Sequence, residues 1–243
     1  MDSTAADVWK LAPVVEQYLS IRAGIPLAQE QIGIMLAILA SGGKSVSRFL
    51  DLGCGDGILA AALLGRYSES HGTLIDFSEP MLVQARERLS GFTSQLRFLN
   101  VDYTDPMWIR GVQSEAPFDA IVSGYSIHHQ PDARKREIYA EIYNLLQPGG
   151  WFVNIEHIAP LADLVTVLFE NHIIDAKVAE EIHNGSLKTR AQVAEAFYSR
   201  ADRAVNILTP VETQCGWLRA LGFEDVDCYF RIYSLAVFAG RHR

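Results

Sequence analysis

The stretch Phe49-Leu50-Asp51-Leu52-Gly53-Cys54-Gly55-Asp56-Gly57 ends an apolar run with three glycines at alternate positions. Glycines this close together let backbone approach a ligand and aim free N–H groups at it, most effectively where a strand gives way to a helix. Asp76 lies 23 positions beyond Gly53, at the end of the next apolar run. A carboxylate there can accept hydrogen bonds from both hydroxyls of a ribose, so the pair of elements predicts a nucleoside site. A second group of reactive side chains follows in Ile127-His128-His129-Gln130-Pro131-Asp132 and in Glu156-His157. Imidazole titrates near neutral pH, which makes His129, and after it His128, the candidates for a general base, with capping of their loop as the plainer role. Glu156 is the candidate catalytic carboxylate and His157 its neighbour at the border of a substrate. His172 and His183 are 11 positions apart with no third ligand of comparable quality, so no metal is expected.

The elements that position these residues alternate in period. Strands are predicted over 46–52, 72–77, 95–101, 118–123 and 151–156. Helices are predicted over 58–64, over 81–89 behind the start signal Ser78-Glu79-Pro80, and over 134–146, the last stopped by Pro148-Gly149-Gly150. Repeated strand–helix–strand units imply parallel pairing with right-handed crossovers, hence a doubly wound α/β sheet. Val8, Leu11, Val14, Val15, Tyr18 and Leu19 give residues 1–45 a helical character, and 158–210 form a second helix-rich stretch. Two final strands are joined too tightly for a parallel crossover and must pair antiparallel. The expected organisation is a helical cap at 1–45, a ligand-binding α/β core at 46–156, a helical insertion or lid at 157–210, and a C-terminal helix and hairpin at 211–243 completing the sheet.

Composition narrows the classes. The 243 residues are 49% hydrophobic and 21% charged, which excludes a disordered or fibrous chain. Acidic side chains outnumber basic ones 29 to 21, a formal charge of −8, so nucleic acid is disfavoured as a direct partner. Three cysteines without CxxC spacing fit a reducing compartment. With no signal-peptide pattern after Met1 and an apolar stretch at 32–40 about half the length of a span, a cytoplasmic protein without membrane attachment is expected.

Five motifs together resemble the class I S-adenosylmethionine (SAM)-dependent methyltransferases: Asp51-Leu52-Gly53-Cys54-Gly55-Asp56-Gly57, Leu74-Ile75-Asp76-Phe77-Ser78-Glu79-Pro80-Met81-Leu82, Leu99-Asn100-Val101-Asp102, Phe118-Asp119-Ala120-Ile121-Val122-Ser123, and Leu146-Gln147-Pro148-Gly149-Gly150. They occur in family order over about half of the chain. The resemblance implies a Rossmann-like seven-stranded sheet with an antiparallel last strand, and SAM as cofactor. It places Asp51, Gly53 and Gly55 around the methionine part and Asp76 at the ribose. Phe77 and Met81 would flank the adenine, with Asp102 at its amino group, Tyr103 beside it, and Ser123 counted with the cofactor-binding set. A nicotinamide dehydrogenase fits less well, because its fingerprint is GxGxxG and the third glycine here arrives one position early.

The ends of the chain look like a narrower branch, the carboxy-SAM synthases of tRNA wobble-uridine modification, in residues 18–39 and in Leu208-Thr209-Pro210-Val211-Glu212-Thr213. That branch holds its extra carboxylate with an arginine where Trp217 stands here, and a neutral indole cannot form the charge-assisted pair. The reading is therefore a SAM-dependent methyltransferase acting on a small organic acceptor. Tyr18, Arg22, His157, Trp217, Arg231 and Tyr233 are the residues expected to close over donor or acceptor. The alternatives are a carboxy-SAM synthase-like enzyme and a SAM-binding regulatory protein without turnover, and a homodimer is left open.

Overall fold

The computed structural model describes residues 5–22 and 25–243, with side chains described for 8–19 and from 25 onward. After a short 3-10 segment, Ala5–Lys10, the elements run α1 (Ala12–Arg22), α2 (Ala28–Ser41), β1 (Arg48–Leu52), α3 (Ile58–Arg66), β2 (His71–Asp76), α4 (Glu79–Arg88) and β3 (Leu96–Asn100). There follow α5 (Ile109–Val112), β4 (Phe118–Gly124), α6 (Asp132–Leu145), β5 (Leu146–His157), α7 (Asp163–His183), α8 (Arg190–Tyr198), α9 (Val211–Leu221), β6 (Glu224–Ile232) and β7 (Leu235–Arg241).

Among the described residues the strands form one seven-stranded sheet in the order β3-β2-β1-β4-β5-β7-β6. The first five pair in parallel, while β7 runs antiparallel to both β5 and β6. This is the doubly wound sheet with the reversed last strand that the motif order and the tight final connection predict. The chain winds outward from β1 to β3 and then from β4 toward the other edge, so the order reverses between β1 and β4. Ligands of open α/β sheets bind in the crevice at the carboxyl ends of such a pair.

Side chains alternate across the sheet with period two and feed two cores. Leu50, Leu52, Ile121 and Phe238 face α6 and α9 on one side, with Tyr139, Ile142, Cys215 and Leu218. Phe49, Ala120, Val122 and Val237 face α2 and α3 on the other, with Met35, Leu39, Leu59 and Leu63. The helices of the expected insertion pack on one another instead, through Ile173, Ile174, Val193 and Phe197. No helix among the described residues is long and apolar enough to cross a membrane.

Two local expectations differ from the structure. Pro148-Gly149-Gly150 does not stop α6: the helix ends at Leu145 and the chain turns extended at Leu146, which already belongs to β5. The two glycines instead make an irregular start to β5, where Gly149 donates to the His242 carbonyl and His242 donates back to Gly150. At the N-terminus the apolar positions do not form one helical stripe. Ala5–Lys10 are 3-10, α1 starts at Ala12, and Leu11 is left 55% exposed.

Gly72 shows how tightly the second core is filled. A Cβ there would run into the Phe49 ring and approach Leu96 Cδ2 to 2.8 Å. Gly72→Ala is expected to lower stability by about 1–3 kcal/mol through overpacking. Gly65→Ala on α3 meets nothing within 4 Å and is expected to raise stability by about 0.5–1 kcal/mol. Urea denaturation of both variants against the parent checks the contrast.

Candidate functional site

The glycine loop leaves β1 at the crevice between β1 and β4. Gly53 sits at φ +68, a left-handed conformation, and a Cβ on it would strike the Ser126 side chain in the loop after β4. Only glycine lets these two loops come together. The loop is tied to the next strand by Asp76, whose Oδ2 accepts the Gly55 N–H at 2.9 Å and whose Oδ1 accepts the Ser78 N–H at 2.8 Å. A carboxylate oxygen accepts more than one hydrogen bond, so Asp76 keeps acceptor capacity toward the cavity it lines. Burial pushes its carboxyl up to about 6, against the pull of the backbone N–H groups of Ser78, Gly55 and Phe77. Asp56, also buried, is paired with Arg88 at 2.5 Å and so ties the loop to α4.

Asp51 is fully buried at the end of β1. Its Oδ2 accepts the Ala60 N–H at 3.2 Å, while Oδ1 has no partner among the described residues. Burial raises its carboxyl to about 8, the Ala60 N–H lowers it, and the nearby Asp76 and Asp56 raise it further. The cavity beside it, about 490 Å³, runs along Gly53, Cys54, Gly55 and Asp56 and is roofed by α2 residues including Gln31. A smaller space of about 60 Å³ continues over Asp76, Phe77 and Met81.

A third cavity, about 110 Å³, adjoins both and shares Tyr18 and Tyr125 with them. His128, His129 and His157 line it. His128 Nδ1 lies 2.5 Å from Glu156 Oε1. Burial drives Glu156 up to about 7 and His128 down to about 3, favouring the neutral form of each. His129 Nδ1 faces the Val205 carbonyl at 3.3 Å and is likewise lowered to about 3, first by burial and then by His128. The His157 ring stands 5.7 Å from that of His128 and 5.4 Å from Phe169, and burial lowers it to about 3.

The structure thus brings Asp51, Gly53, Gly55, Asp76, Phe77, Met81, Tyr18, His128, His129 and His157 to adjoining cavities, with Glu156 buried behind His128. Other expected residues lie elsewhere. Ser123 is buried under the sheet's end and donates to the Leu52 carbonyl at 2.8 Å, a strand-to-strand tie. Tyr103 is turned inward behind the glycine loop, its hydroxyl 2.6 Å from that of Ser126 and its carbonyl held by Arg134. Asp102 is exposed and accepts the Thr104 N–H at 2.8 Å. Trp217 packs on α6, with Arg136 stacked 4.7 Å from its ring and Tyr139 beyond. Arg231 is exposed on β6 and donates to the Tyr233 carbonyl, while the Tyr233 ring leans on His172 of α7. The Arg22 side chain lies outside the described residues. Among the described residues no group of three or more His, Cys, Asp or Glu side chains is arranged to hold a metal ion.

Two cavity residues escape the sequence reading. Tyr125 follows β4 directly, at φ +51, and donates to Gln31 Oε1 at 2.5 Å, so α2 is latched to the crevice. Its position one residue past a strand that ends at the crevice is a usable signal. Trp9 is buried against Tyr18, Phe77 and Met81, and its carbonyl accepts the Ser78 hydroxyl at 2.6 Å. Its tie to Ser78 spans 69 positions and is not visible in the local sequence.

A family model described as a methyltransferase domain matches residues 49–150. An uncharacterized methyltransferase of Mycobacterium tuberculosis is 32% identical over 111 residues, 46% of this chain and 51% of that protein. The chain therefore spans about half the length of that curated relative. A carboxy-S-adenosyl-L-methionine synthase of Nautilia profundicola is 22% identical over 216 residues, 88% of this chain and 85% of that one. The structure of an O-methyltransferase family protein from Burkholderia thailandensis superposes with a TM-score of 0.60 at 15% identity, over 91% of this chain and 60% of that one, a likeness of fold. Residues 49–150 of this chain are thus similar to a methyltransferase domain.

The raised Asp51 carboxyl has a thermodynamic signature. Its folded pKa of about 8 lies above the ordinary value of 3.8, so the folded state holds the proton more tightly. The resulting stability is fully present below the unfolded pKa and is lost as pH rises through the folded one, at about 1.4 kcal/mol per pH unit between them. Melting of the ligand-free protein is expected to weaken more steeply from about pH 5 to about pH 8 than that of Asp51→Asn. Parallel melting curves for the two would contradict the burial argument.

Proposed function

We propose that the chain is a SAM-dependent methyltransferase that transfers a methyl group to a small organic acceptor. The observation that carries this reading is the buried oxygen of Asp51, unpartnered among the described residues, beside the cavity along the glycine loop. An isolated carboxylate in such a place is costly, and an ammonium group of a ligand satisfies it. The ammonium group on the amino acid part of SAM is such a group. Asp76, tied to both the glycine loop and the α4 cap, presents its remaining acceptor capacity to a ribose. Phe77 and Met81 offer apolar and thioether surface to a purine. That end of the site is filled by Trp9, and a space of about 60 Å³ is smaller than the ~150 Å³ cavity that admits a single benzene ring. Adenine binding there displaces Trp9 from Met81.

SAM supplies an already activated methyl group. The task left to these residues is alignment of the acceptor, which is worth up to ~7–11 kcal/mol of a barrier. The third cavity, reached past Tyr18 and Tyr125, is where the acceptor is held, with His128, His129 and Glu156 as the acid–base groups. A second reading, synthesis of carboxy-SAM, is favoured by the near full-length likeness to the Nautilia protein. Against it stands Trp217, a neutral side chain packed on Arg136 and Tyr139.

Calorimetric titration with S-adenosylhomocysteine and transfer of labelled methyl from SAM to a panel of small acceptors test the reading. Binding is expected for the parent, and Asp76→Ala is expected to weaken it about tenfold or more, or ~1.4 kcal/mol and upward. Absence of binding by the parent would overturn the donor assignment. Carboxy-SAM extracted with the purified protein would favour the second reading, and tight binding without any transfer would favour a regulatory protein.

A further inference from the structure

The segment ahead of α1 reaches the donor crevice through Trp9. This side chain is buried on Met81 and Phe77, with the Tyr18 ring edge-on at 5.1 Å and the His129 ring at 5.5 Å. Val15 is buried in the same cluster, and Val8, Val14 and Leu19 pack around it. Among the described residues of that cluster the α/β core supplies Phe77 and Met81, and every other member comes from residues 8–19. Phe77 and Met81 are also the two side chains assigned to the donor's purine. The N-terminal cluster is therefore seated where that purine belongs.

The two ends of the crevice differ in room. The cavity along the glycine loop measures about 490 Å³, whereas the space over Asp76, Phe77 and Met81 measures about 60 Å³. One benzene ring needs ~150 Å³, so the indole and a purine exclude one another on Met81. The seat is not a settled one for the indole. Trp9 Nε1 is buried and unpartnered among the described residues, and a buried donor without an acceptor forfeits its hydration. That loss is recovered when the ring returns to water, while burial of its aromatic face works the other way. The segment is fastened beside the seat by the Ser78 hydroxyl, which donates to the Trp9 carbonyl at 2.6 Å and accepts the Met81 N–H at 3.4 Å. One residue thus caps α4 and holds the segment against it.

We propose that Trp9 is a built-in competitor for the donor's purine: the indole holds the place on Met81 and Phe77, and the donor binds by driving it out into solvent. The proposal rests on the donor reading above and adds how access to that site is regulated. Competition of this kind sets the apparent affinity. When a fraction of the molecules has the ring out, the observed dissociation constant is the intrinsic one divided by that fraction. Any ligand that carries a purine nucleoside meets this penalty, whereas one confined to the glycine-loop cavity does not. Trp9 also lines the cavity beside the histidines, so its departure removes a wall that the two spaces share.

The test titrates S-adenosylhomocysteine and, separately, adenosine into the full-length parent, Trp9→Ala and Trp9→Phe, read by calorimetry. Trp9→Ala is expected to bind both ligands about tenfold or more tighter than the parent, as if the competent fraction rose from about one tenth to near one. Trp9→Phe keeps an aromatic ring on the seat and is expected to stay close to the parent. Truncating a residue that merely shapes the site would weaken binding, so the sign of the change separates the two roles. A second measurement needs no truncation and stands even if Trp9→Ala fails to fold. In the parent labelled with 5-fluorotryptophan, the Trp9 fluorine resonance is identified by its absence in Trp9→Phe. It is expected to gain the solvent isotope shift of an exposed ring once S-adenosylhomocysteine saturates the site. Failure of the parent to bind S-adenosylhomocysteine removes the donor reading and this inference with it. Where the parent binds, weaker or unchanged affinity in folded Trp9→Ala, or a Trp9 resonance that keeps its buried character at saturation, overturns the proposal alone.

Discussion

A carboxylate at the end of β1, fully buried and with one oxygen unpartnered among the described residues, is the constraint around which the site is arranged. Left ionised and alone, such a group costs several kcal/mol, which is why burial pushes Asp51 to about 8. A protein has two ways to relieve that cost: hold a proton on the carboxyl or bind a cation. Asp51 lines the cavity that runs along the glycine loop, so the second way stays open. Asp56 and Asp76 add negative charge close by, so the crevice favours a positively charged ligand.

The rest of the fold positions that crevice. Parallel strands wound outward in both directions from β1 and β4 leave a gap at their carboxyl ends, and Asp76 fastens the loop that lines it to the next strand. The added helices then close it from three sides. Tyr125 latches α2 over the glycine loop, Trp9 caps the Phe77–Met81 end, and Phe169 and Phe197 bring α7 and α8 over the histidines. The cavity along the glycine loop and the cavity beside the histidines meet at Tyr18 and Tyr125. The sheet supplies the crevice, and the helices outside it give the cavity beside the histidines its aromatic walls.

The parts legible in the sequence are those specified locally. Strand–glycine–helix and strand–Asp–Ser–Glu–Pro are short-range patterns with a mechanical reason, and they locate Asp51, Gly53, Gly55 and Asp76 without any knowledge of tertiary contacts. The final hairpin is legible because a tight connection permits one pairing direction. What resists reading depends on distant partners. Trp9 reaches Ser78 and Met81 across the chain, and Trp217, though on a predicted helix, turns to α6 because Arg136 and Tyr139 offer it a better surface than the crevice does. The histidine pair is visible as a pair, but its division of labour is not. His128, rather than the His129 that the sequence ranks first, has Glu156 behind it, and this follows from β4 and β5 lying side by side.

The central claim is that the free oxygen of Asp51 awaits the ammonium group of a SAM-type ligand. A crystal structure of the protein with S-adenosylhomocysteine tests it most directly. The account predicts the ligand's amino nitrogen within about 3 Å of Asp51 Oδ1, the ribose at Asp76, and the sulfur facing the cavity lined by His128. A ligand bound elsewhere, or lying in the crevice with Asp51 Oδ1 still without a partner, would contradict it.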